Sequence, residues 1–308
     1  MLQETIKDKN FVWDKYIASK LENFVVKISN NAITELKNNC NFLNNSEHTF
    51  LILQKEILDF KNKILIDGIG FFVIDGKCFT DFSKEELIEI YENICKILGT
   101  LYIQNDKNQK LVQVQDRGKS IKSGGRYHQT KEGGSFHTDS PQWGNVPDFI
   151  GMYCVNPAKK GGESKFVSAY SIHNEMLKKH KQFLEMLYQQ FYFDKRGEFE
   201  SEESSTVFEP IFTYKDNQLK CRYLRNYIND GHKLQDIPLS KEQNEALDYF
   251  DKIIHDENLA VSYNLKQNDM VFFNNNRVIH GRTSFEDFED IEKKRLMIRT
   301  WIKDESDN

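Results

Sequence analysis

Ser135-Phe136-His137-Thr138-Asp139 places an imidazole and a carboxylate one residue apart. Side chains alternate along an extended segment, so His137 and Asp139 face the same way, about 6–7 Å apart along the backbone, and can close onto one ion. An HxD pair alone is a weak signal. Much later His280 follows an apolar run, Val271-Phe272-Phe273, and an Asn-rich turn, Asn274-Asn275-Asn276, at the tip of a second short strand. Two imidazoles and one carboxylate form a facial triad for a ferrous ion. It leaves three positions open, two for a chelating cosubstrate and one for dioxygen.

These residues need strands to carry them. The Gly-bounded apolar run in Asp67–Lys77 predicts a buried strand, as do Leu111–Val114, Ala260–Leu265, Met270–Phe273 and Leu296–Ile302. Ser135–Phe166 is strand-like, with turns at Pro141, Pro147, Pro157 and Gly161-Gly162. Ser83 to Glu86 and Ser240 to Gln243 have capping-box spacing, and each opens a helical period. Ser168–Tyr192 is also helical in character. Trp13, Ile17, Leu21, Phe24 and Ile28 recur at helical spacing, and Phe50–Ile64 repeats the pattern. We therefore divide the chain into a helical N-terminal layer, 1–63, packed on a catalytic domain, 64–308. The acidic stretch Glu198–Ser205 predicts a solvated loop, of the kind that can also form a lid.

The 308 residues carry 23 Phe and 13 Tyr against 5 Pro, which suits strand-rich packing around a sizeable core. The formal net charge of -5 speaks against a general nucleic-acid binder. Cys40, Cys78, Cys95, Cys154 and Cys221 are odd in number and lack CxxC spacing, which predicts reduced thiols. No stretch is apolar for the length of a bilayer, and the N-terminus lacks a basic end followed by an apolar run. The expectation is a cytoplasmic protein acting on a small molecule, with no nucleic-acid or membrane partner; a homo-oligomer is left open.

Three segments occur in order: GGSFHTDSPQW, NPAKKGGESKFVSA and NNNRVIHGRTSFED, followed by RLMIRTWI. Together they resemble the taurine dioxygenase (TauD/TfdA) family, including its gamma-butyrobetaine hydroxylase relatives, over roughly residues 64–303. The resemblance implies a mainly β fold with flanking helices, a double-stranded β-helix (jelly-roll) barrel of the clavaminate synthase-like type. It implies Fe(II) on His137, Asp139 and His280, with 2-oxoglutarate as cosubstrate and O2 as oxidant. It implies that Arg295, fifteen residues past His280, grips the far carboxylate of 2-oxoglutarate; a planar guanidinium suits that task. Ser164 would assist where the family usually has Thr. Arg299, on the same strand face as Arg295, would lie near an anionic group of the primary substrate. An internal carboxylate, with Asp116 and the acidic loop 286–292 as candidates, is the alternative partner for Arg299.

The implied reaction converts 2-oxoglutarate and dioxygen to succinate and carbon dioxide while hydroxylating an unactivated C–H. Asp139 occupies the ligand position that related halogenases lack. Gln104, Asp116, Arg126, Tyr127, His128, Trp143, Arg225 and Tyr227 are further pocket candidates, and their mixture suits an amino acid or betaine-like zwitterion. Desaturation and cyclisation use the same cofactors. A catalytically inactive cupin-like binding protein would lack a ligand or the anchoring Arg, and neither is missing. A metal-dependent hydrolase or isomerase would show a richer His set such as HxH, and none occurs.

Overall fold

The computed structural model describes residues 1–39, 50–105, 107–120, 129–133, 136–198 and 202–305. A seven-stranded sheet forms its centre. Phe71–Ile74 runs antiparallel to Met270–Asn274, which runs antiparallel to Phe149–Asn156, which in turn pairs with Leu296–Lys303. Leu111–Val114 and Thr100–Leu101 pair with the far side of that last strand. A second, antiparallel sheet joins Val261–Tyr263, Ser164–Ser168 and Val278–Arg282.

Period-two alternation assigns each side chain of the large sheet to one of two cores. Phe72, Ile74, Phe272, Tyr153, Ile298 and Ile302 pack against the helices Asn30–Asn38, Leu51–Phe60 and Lys84–Leu98. Phe71, Val73, Phe273, Ile150, Met297 and Trp301 share the opposite core with Phe166, Val261 and Val278 of the small sheet. Behind the small sheet, Val167 and Ile279 meet helices Ala169–Lys179, Lys181–Leu187 and Lys241–Ile254. Sheet faces sheet, and helices cover both outer sides. The space between the sheets is where a strand's inward positions can present polar groups to a shielded cavity.

Both capping boxes form. The Ser83 hydroxyl accepts from the Glu86 N–H while the Glu86 carboxylate accepts from the Ser83 N–H, and Ser240 and Gln243 do the same. The Gly161-Gly162 turn places both residues in the left-handed region, at φ 71° and 74°, where a side chain would be strained.

The N-terminal periodicity is not one helix. Short 3-10 turns, Lys15–Ser19 and Leu21–Asn23, lead into a two-residue strand, Val25–Val26, parallel to Phe71–Ile74. The carbonyls of Phe24 and Val26 accept from the N–H groups of Val73 and Asp75 at 2.7 and 2.9 Å. An open sheet edge takes up these backbone groups and overrides helical spacing. Trp13 and Phe24 consequently lie in the core between the sheets, not in an outer layer. The helix Leu51–Phe60 continues into a π-helical turn, Lys61–Ile66, without interruption at residue 63. A helix at Arg225–Leu234 and two antiparallel pairs add to the expected elements. These are Gln190–Asp194 with Thr206–Pro210, and Phe212–Lys215 with Gln218–Cys221.

The position of Trp13 has a measurable consequence. Its indole is 7% exposed, donates to the Ile69 carbonyl at 2.9 Å and packs on Phe71 with ring centroids 5.4 Å apart. Trp13→Ala should cost about 3–5 kcal/mol in urea unfolding, as for a large side chain lost from a core. An unchanged unfolding midpoint would show that the N-terminal residues are peripheral.

Candidate active site

His137 and Asp139 are each clamped through both backbone groups, and Thr138 through its N–H and its hydroxyl. His137 and His280 exchange reciprocal bonds, N–H to carbonyl at 2.8 and 3.0 Å. Thr138 N–H donates to the Tyr223 carbonyl at 2.8 Å, and the Thr138 hydroxyl accepts from Tyr223 N–H at 2.9 Å. Asp139 N–H donates to Asn275 Oδ1 at 2.7 Å, and Asn275 Nδ2 donates back to the Asp139 carbonyl at 3.0 Å. The HTD segment is therefore held as extended backbone, although it pairs with the strand Val278–Arg282 only through the single His137–His280 bridge. Extended backbone sends His137 and Asp139 to one side, as their spacing predicts, and the bridge brings His280 beside them.

One potential ligand atom from each of His137, Asp139 and His280 lies within 4.8 Å of the other two. The imidazoles of His137 and His280 have centroids 4.3 Å apart. Burial, with His137 and Arg299 nearby, pushes His280 down to about 3 against the pull of Asp139, so its ring is neutral at ordinary pH. The Nδ1 of His280 is buried without a hydrogen-bond partner among the described residues. Burial acts to raise the Asp139 carboxyl, but Arg299, His137 and His280 outweigh it and hold it well below the usual carboxylate range. A neutral imidazole and an ionised carboxylate are the protonation states that ligate a divalent cation. Arg299 Nη1 donates to Asp139 Oδ1 and Trp301 Nε1 to Oδ2, both at 3.2 Å, so the carboxylate is oriented from two sides.

These groups open into a cavity of about 130 Å³, whose apolar walls include Phe166, Val271, Phe273 and Met152. Arg295, Arg282, Ser164 and Arg299 also line it. Arg295 is 5% exposed. Its backbone N–H bonds Asp287 at 2.8 Å, but among the described residues no carboxylate pairs with its guanidinium, which sits 5.1 Å from the Phe285 ring centroid. Burial lowers its pKa, with Cys154 and Asp287 opposing. A buried cation without an anionic partner is costly, and an anionic ligand would relieve that cost. Ser164 stands directly across from Arg282 in the strand register. The donor set thus fits iron and a dicarboxylate: two imidazoles, one carboxylate and a desolvated guanidinium on one cavity.

The substrate candidates are divided. Arg299 lines the cavity, but its partners are Asp139 and Gln104, not Asp116 or the loop 286–292. Gln104 Oε1 accepts from Arg299 Nε at 3.0 Å, and its Nε2 donates to the carbonyls of Lys110 and Arg299, so its amide is occupied in holding Arg299. Asp116 accepts from the Gly118 N–H and does not line the cavity. Arg225 lies away from it, in ion pairs with Asp248 at 2.8 Å and Asp251 at 2.9 Å. Tyr227 lines the cavity. Trp143 borders an adjoining cleft of about 750 Å³, which shares Arg299 and Glu198 with the cavity and is lined by Gln109, Gln113, Gln129 and Arg117. Arg126, Tyr127 and His128 lie outside the described residues. Glu198, read from sequence only as part of a solvated loop, accepts from Trp143 Nε1 at 2.9 Å and Gln142 Nε2 at 3.1 Å at the cavity wall. Asn275 was hidden among three consecutive asparagines.

Residues 50–301 match the model of the taurine catabolism dioxygenase TauD, TfdA family. FR-33289 synthase of Streptomyces rubellomurinus is 32% identical over 214 residues, covering 68% of this chain and 61% of that protein. Human gamma-butyrobetaine dioxygenase is 25% identical over 157 residues, covering 49% of this chain and 40% of that protein. The chain therefore spans less than two thirds of these relatives' lengths. Two solved structures share the fold. An asparagine oxygenase in complex with Fe(II), 2S,3S-3-hydroxyasparagine and succinate superposes with a TM-score of 0.69 at 14% identity, over 91% of this chain and 93% of that one. The non-heme iron oxygenase OrfP, in complex with Fe and alpha-ketoglutaric acid, gives 0.64 at 12% identity over 91% and 94%. The chain belongs to the TauD, TfdA family. No described helix is long and apolar enough to cross a membrane, and the four described cysteines are free.

The geometry leads to a first ligand test. His280→Ala should abolish Fe(II) binding in equilibrium dialysis, since two remaining ligands on a three-point face bind iron poorly. Wild-type iron stoichiometry in that variant would remove His280 from the ligand set. The sequence alone suggests that Asp139→Ala leaves the fold untouched, its charge having only the metal for partner. The bonds from Arg299 and Trp301 show that the carboxylate also serves the metal-free protein.

Proposed function

We propose that this chain is an iron(II)- and 2-oxoglutarate-dependent oxygenase that hydroxylates an unactivated C–H bond of a small amino-acid- or betaine-like substrate, anionic or zwitterionic. His137, Asp139 and His280 hold iron, and Arg295, assisted by Ser164, holds the 5-carboxylate of 2-oxoglutarate. The two facing sheets are read as the double-stranded β-helix of the family. The observation that carries the assignment is the Arg295 guanidinium, buried at the cavity wall without a carboxylate partner among the described residues, immediately before the strand that brings Arg299 to Asp139.

When bound, iron, 2-oxoglutarate and dioxygen supply the oxidising power to put one oxygen atom into a C–H bond, with succinate and carbon dioxide as co-products. The chain's own residues do the rest. Asp139 stays ionised because Arg299 lies against it, so no proton competes for its oxygens at neutral pH. His280 presents a neutral ring for the same task. The apolar side chains exclude bulk water, which strengthens the pull of Arg295 on a carboxylate. Arg299 uses Nε and Nη1 on Gln104 and Asp139, leaving Nη2 without a partner among the described residues for a substrate anion. Glu198 places a carboxylate on the same cavity, which suits the cationic end of a zwitterion. The hydroxyasparagine bound in the asparagine oxygenase, the (3S)-hydroxy-L-Arg bound in OrfP and the likeness to gamma-butyrobetaine dioxygenase support an amino-acid or betaine class.

Arg295→Lys should weaken 2-oxoglutarate binding by about one to two orders of magnitude, because a point charge cannot reproduce the bidentate fork. An unchanged 2-oxoglutarate Michaelis constant would reject the anchor. Arg299→Leu, which also removes a partner of Asp139, should cost substrate-stimulated succinate release more than it costs 2-oxoglutarate binding at saturating iron. Normal substrate KM and turnover in that variant would rule out the contact. The substrate class is tested by screening iron-loaded protein and 2-oxoglutarate against amino acids, betaines, sulfonates and nucleotides. Succinate release stimulated by an amino acid or betaine, with product heavier by one oxygen, is expected. Stimulation by sulfonates or nucleotides alone would overturn the class.

A further inference from the structure

Of the three clamps on the HTD segment, two are made by main chain, or by main chain and the segment's own threonine. The third, on Asp139, is made by the side chain of another residue. Asn275 is 1% exposed and lies in the turn between Met270–Asn274 and Val278–Arg282, the strand that carries His280. Its Oδ1 accepts from the Asp139 N–H at 2.7 Å, and its Nδ2 donates to the carbonyls of Asp139 and Pro147, both at 3.0 Å. Its own N–H donates to the Asp148 carbonyl at 2.8 Å. A carboxamide offers one acceptor and two donors, which matches this set of three bonds.

We propose that Asn275 is the positioning residue for Asp139: its amide replaces the strand neighbour that the HTD segment lacks and fixes the carboxylate relative to His280. The inference rests on the reading of Asp139 as a metal ligand. At the positions flanking Asp139, Thr138 is tied to Tyr223, while Ser140 has a φ of +50° and a buried hydroxyl without a partner. The backbone therefore leaves extended geometry immediately after Asp139. Without Asn275 the Asp139 peptide groups would be buried with no partner, and the chain could relax by rotating the carboxylate out of line. Arg299 and Trp301 hold the carboxylate oxygens but not the peptide. Asn275 acts on the ligand's backbone and reaches no substrate or metal itself.

The test is Co(II) affinity, read by absorption titration of the folded protein under conditions where Co(II) replaces Fe(II). Asn275→Ala should weaken Co(II) binding by about 10–100-fold, the usual scale for losing a group that orients a ligand. Asn275→Asp keeps the acceptor for the Asp139 N–H but sets an acceptor against two carbonyls, and should lose at least as much; this isosteric variant carries the test where the alanine variant does not fold. Asn276→Ala, in the same turn with its side chain on Asp148 at 3.2 Å, should lower the melting temperature of metal-free protein and leave Co(II) affinity within about twofold. A folded Asn275 variant with wild-type Co(II) affinity would overturn the proposal, even if its melting temperature fell. Asp139→Ala separates the two readings. If it binds Co(II) like wild type, the ligand assignment fails; if it loses binding while Asn275→Asp keeps it, only the positioning role fails.

Discussion

The reciprocal backbone bonds between His137 and His280, at 2.8 and 3.0 Å, are the constraint on which the site depends. They join a loop-borne segment to a strand far away in the chain, and they do so at the two imidazoles themselves. Every other feature of the site is measured from that bridge. Asp139 follows His137 by two residues of extended chain. The strand Leu296–Lys303 delivers Arg299 and Trp301 to the Asp139 carboxylate from the facing sheet. One bridge without further ladder pairing gives no rigidity of its own, which is why each residue of the HTD segment carries a clamp.

Charge follows from that geometry. The cavity gathers Arg282, Arg295 and Arg299 with Glu132, Asp139 and Glu198 as the acids among its described lining residues. Arg299 is matched to Asp139, while the Arg295 guanidinium has no carboxylate partner among the described residues, and that of Arg282 is pushed down to about 10 by burial and by Arg295. Both guanidinium groups lie over the Phe285 ring, at 4.7 and 5.1 Å from its centroid. A carboxylate is the complement that the buried Arg295 guanidinium calls for. The end of the cavity at His137, Asp139 and His280 suits a cation instead, and on the proposed reading the two ends together would orient one cosubstrate.

Much of this was legible in residue types. The HTD spacing, the strand before His280 and the inward parity of Arg295 and Arg299 are period-two arguments, and the structure places all five side chains on one cavity. The capping boxes at Ser83 and Ser240 were readable because both partners lie within one turn. Long-range partners were not. The spacing from Trp13 to Ile28 looks helical, but pairing with Phe71–Ile74 decides its backbone. Arg225 looked like a pocket cation and is consumed by Asp248 and Asp251 of a following helix. Gln104 reads as a pocket candidate, and only the fold reveals that its amide braces Arg299. The hairpin Phe212–Cys221 did leave a signal, Asp216-Asn217, both at positive φ, as a tight two-residue turn requires.

The joint claim, that the triad and Arg295 form one site for iron and 2-oxoglutarate, is tested most directly by anaerobic titration of the Fe(II)-loaded protein with 2-oxoglutarate, followed by visible absorption. Bidentate chelation of ferrous iron by the 2-oxo acid gives a metal-to-ligand charge-transfer band. The account predicts a saturable band at one equivalent, with the half-saturating concentration raised in Arg295→Lys but the band retained. Iron-loaded protein that shows no band at saturating 2-oxoglutarate would contradict it.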